Sequence, residues 1–229
     1  MIKTKKVLGV ITARGGSVRL PNKNILNFAG KPLIALTIAQ AKKSKYIDEI
    51  ICSTDSKKIR DIALKYKCSV PFMRPKYLAK NKTSSLEVLN HLCKKISLFD
   101  YIVLLQPTSP LRNTLDIDAS IEKCDKYNAF SVVSVNKLDK STNLMFNLQS
   151  KKNINFLKKT FSNKKDKKYL NSTFILNGAV YVLRYKNLVK SMPFISKKSI
   201  AHIMPLNRSI DIDTKVDFKL AEFIYKSKL

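Results

Sequence analysis

The architecture of this chain follows from one early segment, Val7-Leu-Gly-Val-Ile-Thr12, continued by Ala13-Arg-Gly-Gly-Ser-Val-Arg-Leu-Pro-Asn-Lys-Asn24. Its first part is short, apolar and rich in β-branched residues, which is typical of a buried parallel strand. The two glycines that follow let the backbone turn and bring N–H groups close to a ligand. Arg14, Arg19 and Lys23 add cations, and the guanidinium of Arg14 suits bidentate contact with phosphate. The segment predicts a strand ending in a phosphate-binding loop, with a plain glycine turn as the alternative.

The rest of the chain repeats this rhythm of strand and helix. Further strands are predicted at 49–55, 69–72, 100–106, 129–135, 177–184 and 199–204. Helices are predicted from about Pro32, at 56–66, from Thr83 or Ser84 to Ile96, at 116–127 and at 214–227. Alternating strands and helices indicate an α/β fold with a mainly parallel sheet. Ligands of such sheets bind beyond the carboxyl ends of the strands, where the Arg14 loop and Asp55 should meet.

Length and composition limit the possible classes of protein. The chain has 229 residues, which is enough for one domain, 1–229, with a well-buried core. It contains no apolar run of about 18 residues and no recognisable signal peptide, so we expect a cytoplasmic protein without membrane spans. Its four cysteines are far apart and form no C-x-x-C pair, which favours free thiols over a zinc site.

The formal net charge of +28 is the one feature of the composition that favours another class, because basic surfaces attract nucleic acid. The lysines, however, are spread as pairs along the whole chain. They are not accompanied by a basic amphipathic helix, an aromatic RNA-binding pattern or zinc-finger spacing. Nucleic acid is therefore not the expected partner, and a non-catalytic basic binding protein is kept as the alternative from a different class.

Two later segments supply polar side chains at predicted strand ends. Gln106 follows an apolar strand and precedes Pro107 and Pro110, which cannot continue the ladder. Its amide can bind a ligand or tie down the turn, and Arg112 can cap that turn or face solvent. Asp211 and Asp213 lie two apart in an extended segment, so both carboxylates should face one side and suit Mg²⁺. The alternative for Asp213 is the N-cap of the last helix.

The region 136–176 breaks the pattern, because it is rich in Lys, Asn and Ser with only isolated apolar residues. A polar segment of this length inside an α/β domain is commonly an excursion that reaches a lid or a partner subunit. At its end, Asn177-Gly178 predicts a tight turn at the start of the next strand.

Four segments in register resemble bacterial acylneuraminate cytidylyltransferases, whose first strand is followed by A-R-x-G-S-K-x-x-x-x-K-N. Arg14, Ser17, Lys23 and Asn24 match that pattern, whereas Val18 replaces the lysine. The other three segments are Leu105-Gln-Pro-Thr-Ser-Pro-Leu-Arg112, Asn177-Gly-Ala-Val-Tyr181 and Ile210-Asp-Ile-Asp-Thr214. The resemblance implies a Rossmann-like nucleotidyltransferase fold with a small dimerisation arm in the 136–176 excursion, and hence a homodimer.

The resemblance also implies a reaction. CTP activates a nonulosonic (sialic-type) acid to give the CMP-sugar, and pyrophosphate leaves; N-acetylneuraminate is the expected substrate. Legionaminate or another sialic-like acid is the alternative substrate. By resemblance, Arg14 and Lys23 stabilise the triphosphate and Gln106 contacts the sugar. The same resemblance assigns the nucleotide to Arg14, Ser17, Asn24, Arg74, Thr83 and Ser85, and Mg²⁺ to Asp211 and Asp213, with Asp211 also accepting the sugar proton. The family's Arg-Arg-Gln box is missing, and Lys167 falls where one of its arginines is expected.

Overall fold

The computed structural model describes residues 2–96, 99–138, 146–151, 154–159 and 173–227. The strands are β1 Val7–Thr12, β2 Asn27–Phe28, β3 Lys31–Pro32, β4 Glu49–Ser53, β5 Tyr101–Leu105, β6 Ser131–Lys137, β7 Phe146–Lys151, β8 Ile154–Lys159, β9 Phe174–Arg184 and β10 Ile200–Ile203. Six of them form the central sheet in the order β10-β6-β9-β5-β1-β4. Only β9 runs antiparallel to its neighbours in this sheet, so the predicted mainly parallel sheet is confirmed.

The α-helices are α1 Leu33–Lys43, α2 Lys57–Lys65, α3 Ser85–Cys93, α4 Thr114–Lys126, α5 Tyr185–Val189 and α6 Lys215–Ser227. Several begin at caps that their local sequence encodes. The Ser56 side chain caps α2, and Ser84 rather than Thr83 caps α3 in a reciprocal capping box with Glu87. Asn113 and Asp116 form the same arrangement at α4. Within the described ranges, no helix is both long and apolar enough to cross a membrane.

The core lies on both faces of the sheet. On β1, Val7 and Ile11 point into one buried cluster with α1, α2 and α4, whereas Leu8 and Val10 point into a second cluster with α3. This alternation follows from the period of two in a strand, and it makes three layers with the sheet in the middle. Burying each such side chain fully contributes roughly 1.5–3 kcal/mol, so the carboxyl end of β1 is a rigid base for the loop that follows.

Two local predictions are wrong. Residues 69–72 form no strand; only Ser69 makes an isolated bridge with Ile51, because Pro71 offers no N–H to continue pairing. Asn177-Gly178 is not a turn before a strand but lies inside β9, where the pairing with β6 is irregular between Val133 and Val135. A bulge rather than a turn forms there because the strand continues on both sides.

The described parts of the predicted 136–176 excursion divide into two kinds. Its two ends belong to the central sheet, since Asn136 pairs with Ile175 and Lys137 with Phe174. Between them, β7 and β8 form an antiparallel hairpin of their own. Lys167 lies outside the described residues, and the role of this region as a dimerisation arm stays a prediction.

Candidate active site

A cleft of about 460 Å³ opens at the carboxyl ends of β1, β4 and β5. Its lining includes most of the predicted site residues: Arg14, Ser17, Lys23, Asn24, Arg74, Thr83, Ser85, Gln106 and Asp213. Asp211 lies beside this cleft, since the N–H of the next residue, Ile212, donates to the carbonyl of Thr108, a lining residue, at 2.8 Å. One cleft thus collects side chains from four segments that are far apart in the sequence, which is the placement expected for a parallel α/β sheet.

The glycine loop is anchored at both of its ends. The N–H of Gly15 donates to Oδ1 of Asp55 at 3.0 Å, and Nδ2 of Asn24 donates to the carbonyl of Arg14 at 2.9 Å. A Cβ atom on Gly15 would lie 3.0 Å from Cβ of Ser56, so any other residue would have to push the N-cap of α2 aside. Nη1 of Arg14 donates to Oδ1 of Asn81 at 2.7 Å, which holds this guanidinium against the opposite wall.

That opposite wall contains a buried cation, Arg74. Its guanidinium donates to both the hydroxyl and the carbonyl oxygen of Ser53, and its backbone N–H donates to Thr54 at 2.7 Å. Burial lowers the pKa of Arg74, an effect that the nearby carboxylate of Asp55 opposes. Because the strand end fixes the guanidinium rigidly, Arg74 presents a preorganised hydrogen-bonding edge to the cleft.

The hydroxyl groups near α3 have different partners. Thr83 donates to the carbonyl of Tyr77 at 3.3 Å, and Ser84 is engaged in the helix cap. Ser85 is the first residue of α3 and lines the cleft, as Thr83 does. The structure therefore assigns the cap to Ser84, which the sequence had left open, and places Thr83 and Ser85 in the cleft wall; their contact with a nucleotide stays a prediction.

Gln106 stands at the carboxyl end of β5, directly opposite the bulge of β9. Gly178 has φ +71°, a conformation that favours glycine, and a Cβ atom there would lie 3.0 Å from Oε1 of Gln106 and would displace that amide. The backbone carbonyl of Gln106 accepts a hydrogen bond from Nη1 of Arg112 at 3.2 Å. The position of Gln106 is therefore set from two sides.

Arg112 decides between the two alternatives left by the sequence, because it does not face solvent but donates to the carbonyl of Gln106 at the start of the proline-rich turn. It is 1% exposed, and it donates to the carbonyl of Ala179 at 2.9 Å and to the hydroxyl of Thr37 at 2.7 Å. Burial lowers the pKa of Arg112 to about 10, although Asp116 opposes the shift. A buried cation is costly, and the donors on Nη1 and Nη2 offset part of that cost, whereas the buried Nε has no partner among the described residues.

A buried network joins this bulge to the last part of the site. Oδ1 of Asn177 accepts from Ser134 at 2.6 Å, and its Nδ2 donates to the hydroxyl of Ser209 at 3.0 Å. Next to Ser209, Arg208 binds the buried carboxylate of Asp116 with two donors, at 2.9 and 3.2 Å. These contacts position the segment that carries Asp211 and Asp213.

The two aspartates differ in their surroundings. Asp211 is an exposed residue by surface area, yet protein atoms surround its carboxyl group, and this loss of hydration raises the pKa of Asp211 while the Thr108 hydroxyl opposes the shift. Oδ2 of Asp213 is 2.6 Å from Nη2 of Arg19, and its Oδ1 is 3.0 Å from Nζ of Lys23. Lys23 also donates to the carbonyl of Ile212 at 2.6 Å.

Asp213 does not cap α6, so the alternative role considered for it is wrong. The hydroxyl of Thr214 accepts from the N–H of Asp217 at 3.2 Å, and the carboxylate of Asp217 accepts from the N–H of Thr214 at 2.7 Å. This reciprocal pattern is a capping box one residue later in the chain. Asp213 is thereby left to face the cleft and its cations.

The donor set suits a hard divalent cation in part. Mg²⁺ commonly binds one or two protein carboxylates and completes its octahedron with water and phosphate oxygens. Among the residues that the structure describes, no three Asp, Glu, His or Cys side chains converge on one point, so a site held by protein ligands alone is not formed there. Asp211 and Asp213 suit a site in which water and phosphate oxygens supply the remaining ligands. Binding there requires that the metal ion displace at least one of the cations paired with Asp213.

Sequence reasoning did not single out two polar residues of the cleft wall, Lys80 and Asn81, and it left the role of Arg112 open. Lys80 and Asn81 line the cleft from the loop before α3. Their residue types do not distinguish them, since lysines and asparagines are common along this chain.

Comparisons with known proteins identify the family. A family model described as cytidylyltransferase matches residues 8–224. The chain is 36% identical to a CMP-N,N'-diacetyllegionaminic acid synthase of Legionella pneumophila, covering 95% of each chain. It is 32% identical to an N-acylneuraminate cytidylyltransferase of Escherichia coli, where it covers 97% of its own length but 53% of that protein. A pseudaminic acid cytidylyltransferase of Campylobacter jejuni is 30% identical, with 96% and 97% covered.

Solved structures give the same picture of the fold. A CMP:2-keto-3-deoxy-manno-octonic acid synthetase in complex with CTP superposes with a TM-score of 0.72 at 15% identity, covering 98% of this chain and 100% of that one. A 4-diphosphocytidyl-2C-methyl-D-erythritol synthase from Anaerococcus prevotii gives 0.69 at 16% identity, with 98% of each chain covered. The predicted Rossmann-like nucleotidyltransferase fold is confirmed.

Proposed function

Because the chain belongs to the cytidylyltransferase family, we propose that it joins CTP to a nonulosonic acid of the sialic type, giving the CMP-sugar and pyrophosphate. The observation that carries this proposal is the meeting of two kinds of group in one cleft. The cations Arg14 and Lys23 of the glycine loop lie there with Asp213, and Gln106 lines the same cleft. Such a cleft can hold a triphosphate near a carboxylate-bearing sugar.

The nucleotide half of the cleft would bind by preorganised donors. Arg74 is fixed by Ser53 and offers its edge to the base, while Thr83 and Ser85 provide hydroxyls for base and ribose. Arg14 and Lys23 would neutralise the triphosphate and stabilise the leaving pyrophosphate. Ser17 and Asn24 complete this half from the loop, and Lys167 would contribute only if the region that contains it reaches the cleft.

In the reaction, the anomeric hydroxyl of the sugar attacks the α-phosphorus in line, so catalysis consists mainly of positioning and charge neutralisation. We propose that Gln106 orients the sugar acid. Asp211 accepts the proton of the anomeric hydroxyl, a role that the raised pKa of Asp211 favours. Asp211 and Asp213 would hold Mg²⁺, which supplies charge stabilisation at the phosphate oxygens when it is bound.

The sugar is the finer part of the proposal. N-Acetylneuraminate is the substrate that the sequence resemblance favours, and the relative from Escherichia coli is named for an N-acylneuraminate. The relative at 36% identity from Legionella pneumophila is named for a diacetylated legionaminic acid, which makes that sugar the second candidate. Both candidates carry the same carboxylate and anomeric hydroxyl, so one mechanism serves both.

Pyrophosphate release tests the proposal. Purified protein is assayed with each of the four nucleoside triphosphates against N-acetylneuraminate, legionaminate, pseudaminate and a sugar 1-phosphate. We expect turnover with CTP and a nonulosonic acid in the presence of Mg²⁺. Turnover with the sugar 1-phosphate alone would refute it. The absence of any turnover, together with tight binding to nucleic acid, would favour the non-catalytic alternative.

We also propose that the protein is a cytoplasmic homodimer. Phe174, Ile175 and Leu176 lie consecutively at the start of β9 and are 40%, 52% and 45% exposed, which supports burial against a second copy. Light scattering at micromolar concentration should give twice the mass of the chain. A monomer under those conditions would contradict the proposal without affecting the catalytic one.

A further inference from the structure

The carboxylate of Asp213 already has two cationic partners in the cleft. Each of its carboxylate oxygens binds a different cation, Arg19 at 2.6 Å and Lys23 at 3.0 Å. A divalent ion ligated by the same carboxylate would lie within a few ångströms of both cations, where like charges repel strongly. The cations and the metal ion therefore cannot all be held by Asp213 at full strength.

Arg19 and Lys23 differ in how easily they can separate from Asp213. The Lys23 side chain is 13% exposed and has a second acceptor, the carbonyl of Ile212, so its ammonium is fixed in place. The Arg19 side chain is 68% exposed and has Asp213 as its partner. An exposed ion pair of this kind contributes only about 0.2–1 kcal/mol, so Arg19 is the cation that exchanges easily.

Arg19 also has an alternative partner, the triphosphate of a bound nucleotide. It follows Val18, which is 69% exposed at the position where a lysine stands in the family's loop pattern, and both residues line the cleft. Once released from the carboxylate, the guanidinium remains on the loop that carries Arg14 and Lys23, the two cations proposed above to neutralise the triphosphate.

Resting on the proposed metal site at Asp211 and Asp213, we propose that Arg19 is an exchangeable counter-ion that competes with the divalent metal for Asp213 and then contacts the triphosphate. Arg19 would thus weaken metal binding in the absence of nucleotide and strengthen nucleotide binding. The metal would bind tightly only when a triphosphate is there to accept the guanidinium. Arg19 is accordingly a positioning residue that couples the two ligands.

The test measures metal binding directly. Mn²⁺, which has an electron paramagnetic resonance signal, is titrated into the protein without nucleotide, and binding of CTP is measured separately in EDTA by calorimetry. Arg19→Met should bind Mn²⁺ roughly two- to fivefold more tightly than the wild type, as expected for removal of an exposed ion pair, and should bind metal-free CTP more weakly.

Controls separate exchange at Asp213 from a general effect of charge. Lys80→Met removes another cation that lines the cleft, and Arg60→Met removes an exposed arginine that pairs with Asp61 at 2.8 Å outside the lining. The proposal requires a smaller gain in Mn²⁺ affinity for Lys80→Met than for Arg19→Met, and none for Arg60→Met. In an Asp213→Asn background, Arg19→Met should no longer change Mn²⁺ binding.

Equal Mn²⁺ affinities for the wild type and Arg19→Met would overturn the proposal, as would the same gain in Lys80→Met. Failure to detect Mn²⁺ in any variant would also overturn it, since the carboxylate freed by Arg19→Met should then ligate metal. Turnover of CTP with a nonulosonic acid is assayed in the same preparations. An active enzyme with unchanged Mn²⁺ binding would leave the proposed function standing while the coupling by Arg19 fails.

Discussion

The charged and polar groups on the two sides of the cleft differ in burial. Beneath Gln106, the polar groups are buried and bound to fixed partners, as Arg112 and Asn177 show. Beside the glycine loop, Arg19 is largely exposed, Asp213 is partly exposed, and the two bind each other. A buried donor without a partner costs far more than an exposed one, so the buried side positions ligands rigidly while the exposed side can exchange partners.

The largest effect is expected where the exposed side takes part in the reaction. Asp211→Asn and Asp213→Asn should each lower kcat by roughly 10²-fold or more, about 2.7 kcal/mol in the barrier, because charge stabilisation at the phosphate is lost. Stability should change little, since Asp213 is not the cap of α6. Steady-state kinetics across a Mg²⁺ titration and thermal midpoints measure both quantities.

Thr214→Ala is the matched control for this pair, because Thr214 forms the capping box of α6 beside Asp213. It should lose about 1 kcal/mol of stability while kcat stays near the wild-type value. If Asp213→Asn lowered stability as much as Thr214→Ala and left turnover intact at limiting Mg²⁺, the exposed side would have a structural role only.

The second effect tests the buried side through pH. Burial alone would raise the pKa of Asp116, but hydrogen bonds from His202, Arg208 and the N–H of Asn113 outweigh it and bring the pKa to about 2, from an ordinary 3.8. A depressed pKa stabilises the fold above the ordinary value, and this stability is lost as pH falls from about 4 towards 2. At ~1.4 kcal/mol per pKa unit, the contribution is about 2 kcal/mol.

Urea unfolding of Asp116→Asn should therefore show a loss of about 2 kcal/mol at pH 7, with the two stability curves converging as pH falls below 4. Asp61→Asn, which alters an exposed ion pair with Arg60, should run parallel to the wild type within about 0.5 kcal/mol. Parallel curves for Asp116→Asn as well would mean that the buried side does not depend on this carboxylate.

A smaller effect is expected from alanine at Gly178, and alanine at Gly30 is the control that separates backbone strain from displacement of Gln106. Gly178 and Gly30 both have positive φ, +71° and +86°, so alanine at either position should cost roughly 1–2 kcal/mol. Only at Gly178 would the added Cβ meet Oε1 of Gln106 at 3.0 Å, whereas at Gly30 nothing lies within 4 Å. Gly178→Ala should raise the KM for the sugar acid several-fold, and Gly30→Ala should not; equal KM values would remove Gln106 from the sugar site.

The smallest effect is the stability of the exposed pair itself. Arg19→Ala should change the free energy of unfolding by less than about 1 kcal/mol, as expected for an exposed ion pair, and the difference should shrink at high salt. Chemical denaturation at low and high ionic strength measures it. A loss of several kcal/mol would show that this side is held as rigidly as the buried one, and the contrast between the two sides would be lost.

Much of the fold could be read from local patterns. The apolar runs predicted β1, β4 and β5 to within two residues, because a buried strand needs a continuous apolar stretch with β-branched residues. The prolines after Gln106 predicted that it stands at a strand end. The hydroxyls of Thr83 and Ser84, with Glu87 close behind them, predicted the start of α3 to within one residue for an equally local reason, since a capping box spans only four residues.

Contacts between distant residues were decided by the tertiary structure. Arg19 and Asp213 are 194 residues apart in the sequence, and neither neighbourhood indicates that the other will bind it. Arg112 was left open between a cap and solvent, because its burial depends on the bulge of β9 that it supports, and the Asn177-Gly178 pattern indicated a turn that the pairing with β6 converted into that bulge. The sequence by itself determined which segments carry the chemistry, since period and composition are local; which side chains are rigid and which can exchange depends on burial, and packing of the whole chain decides that.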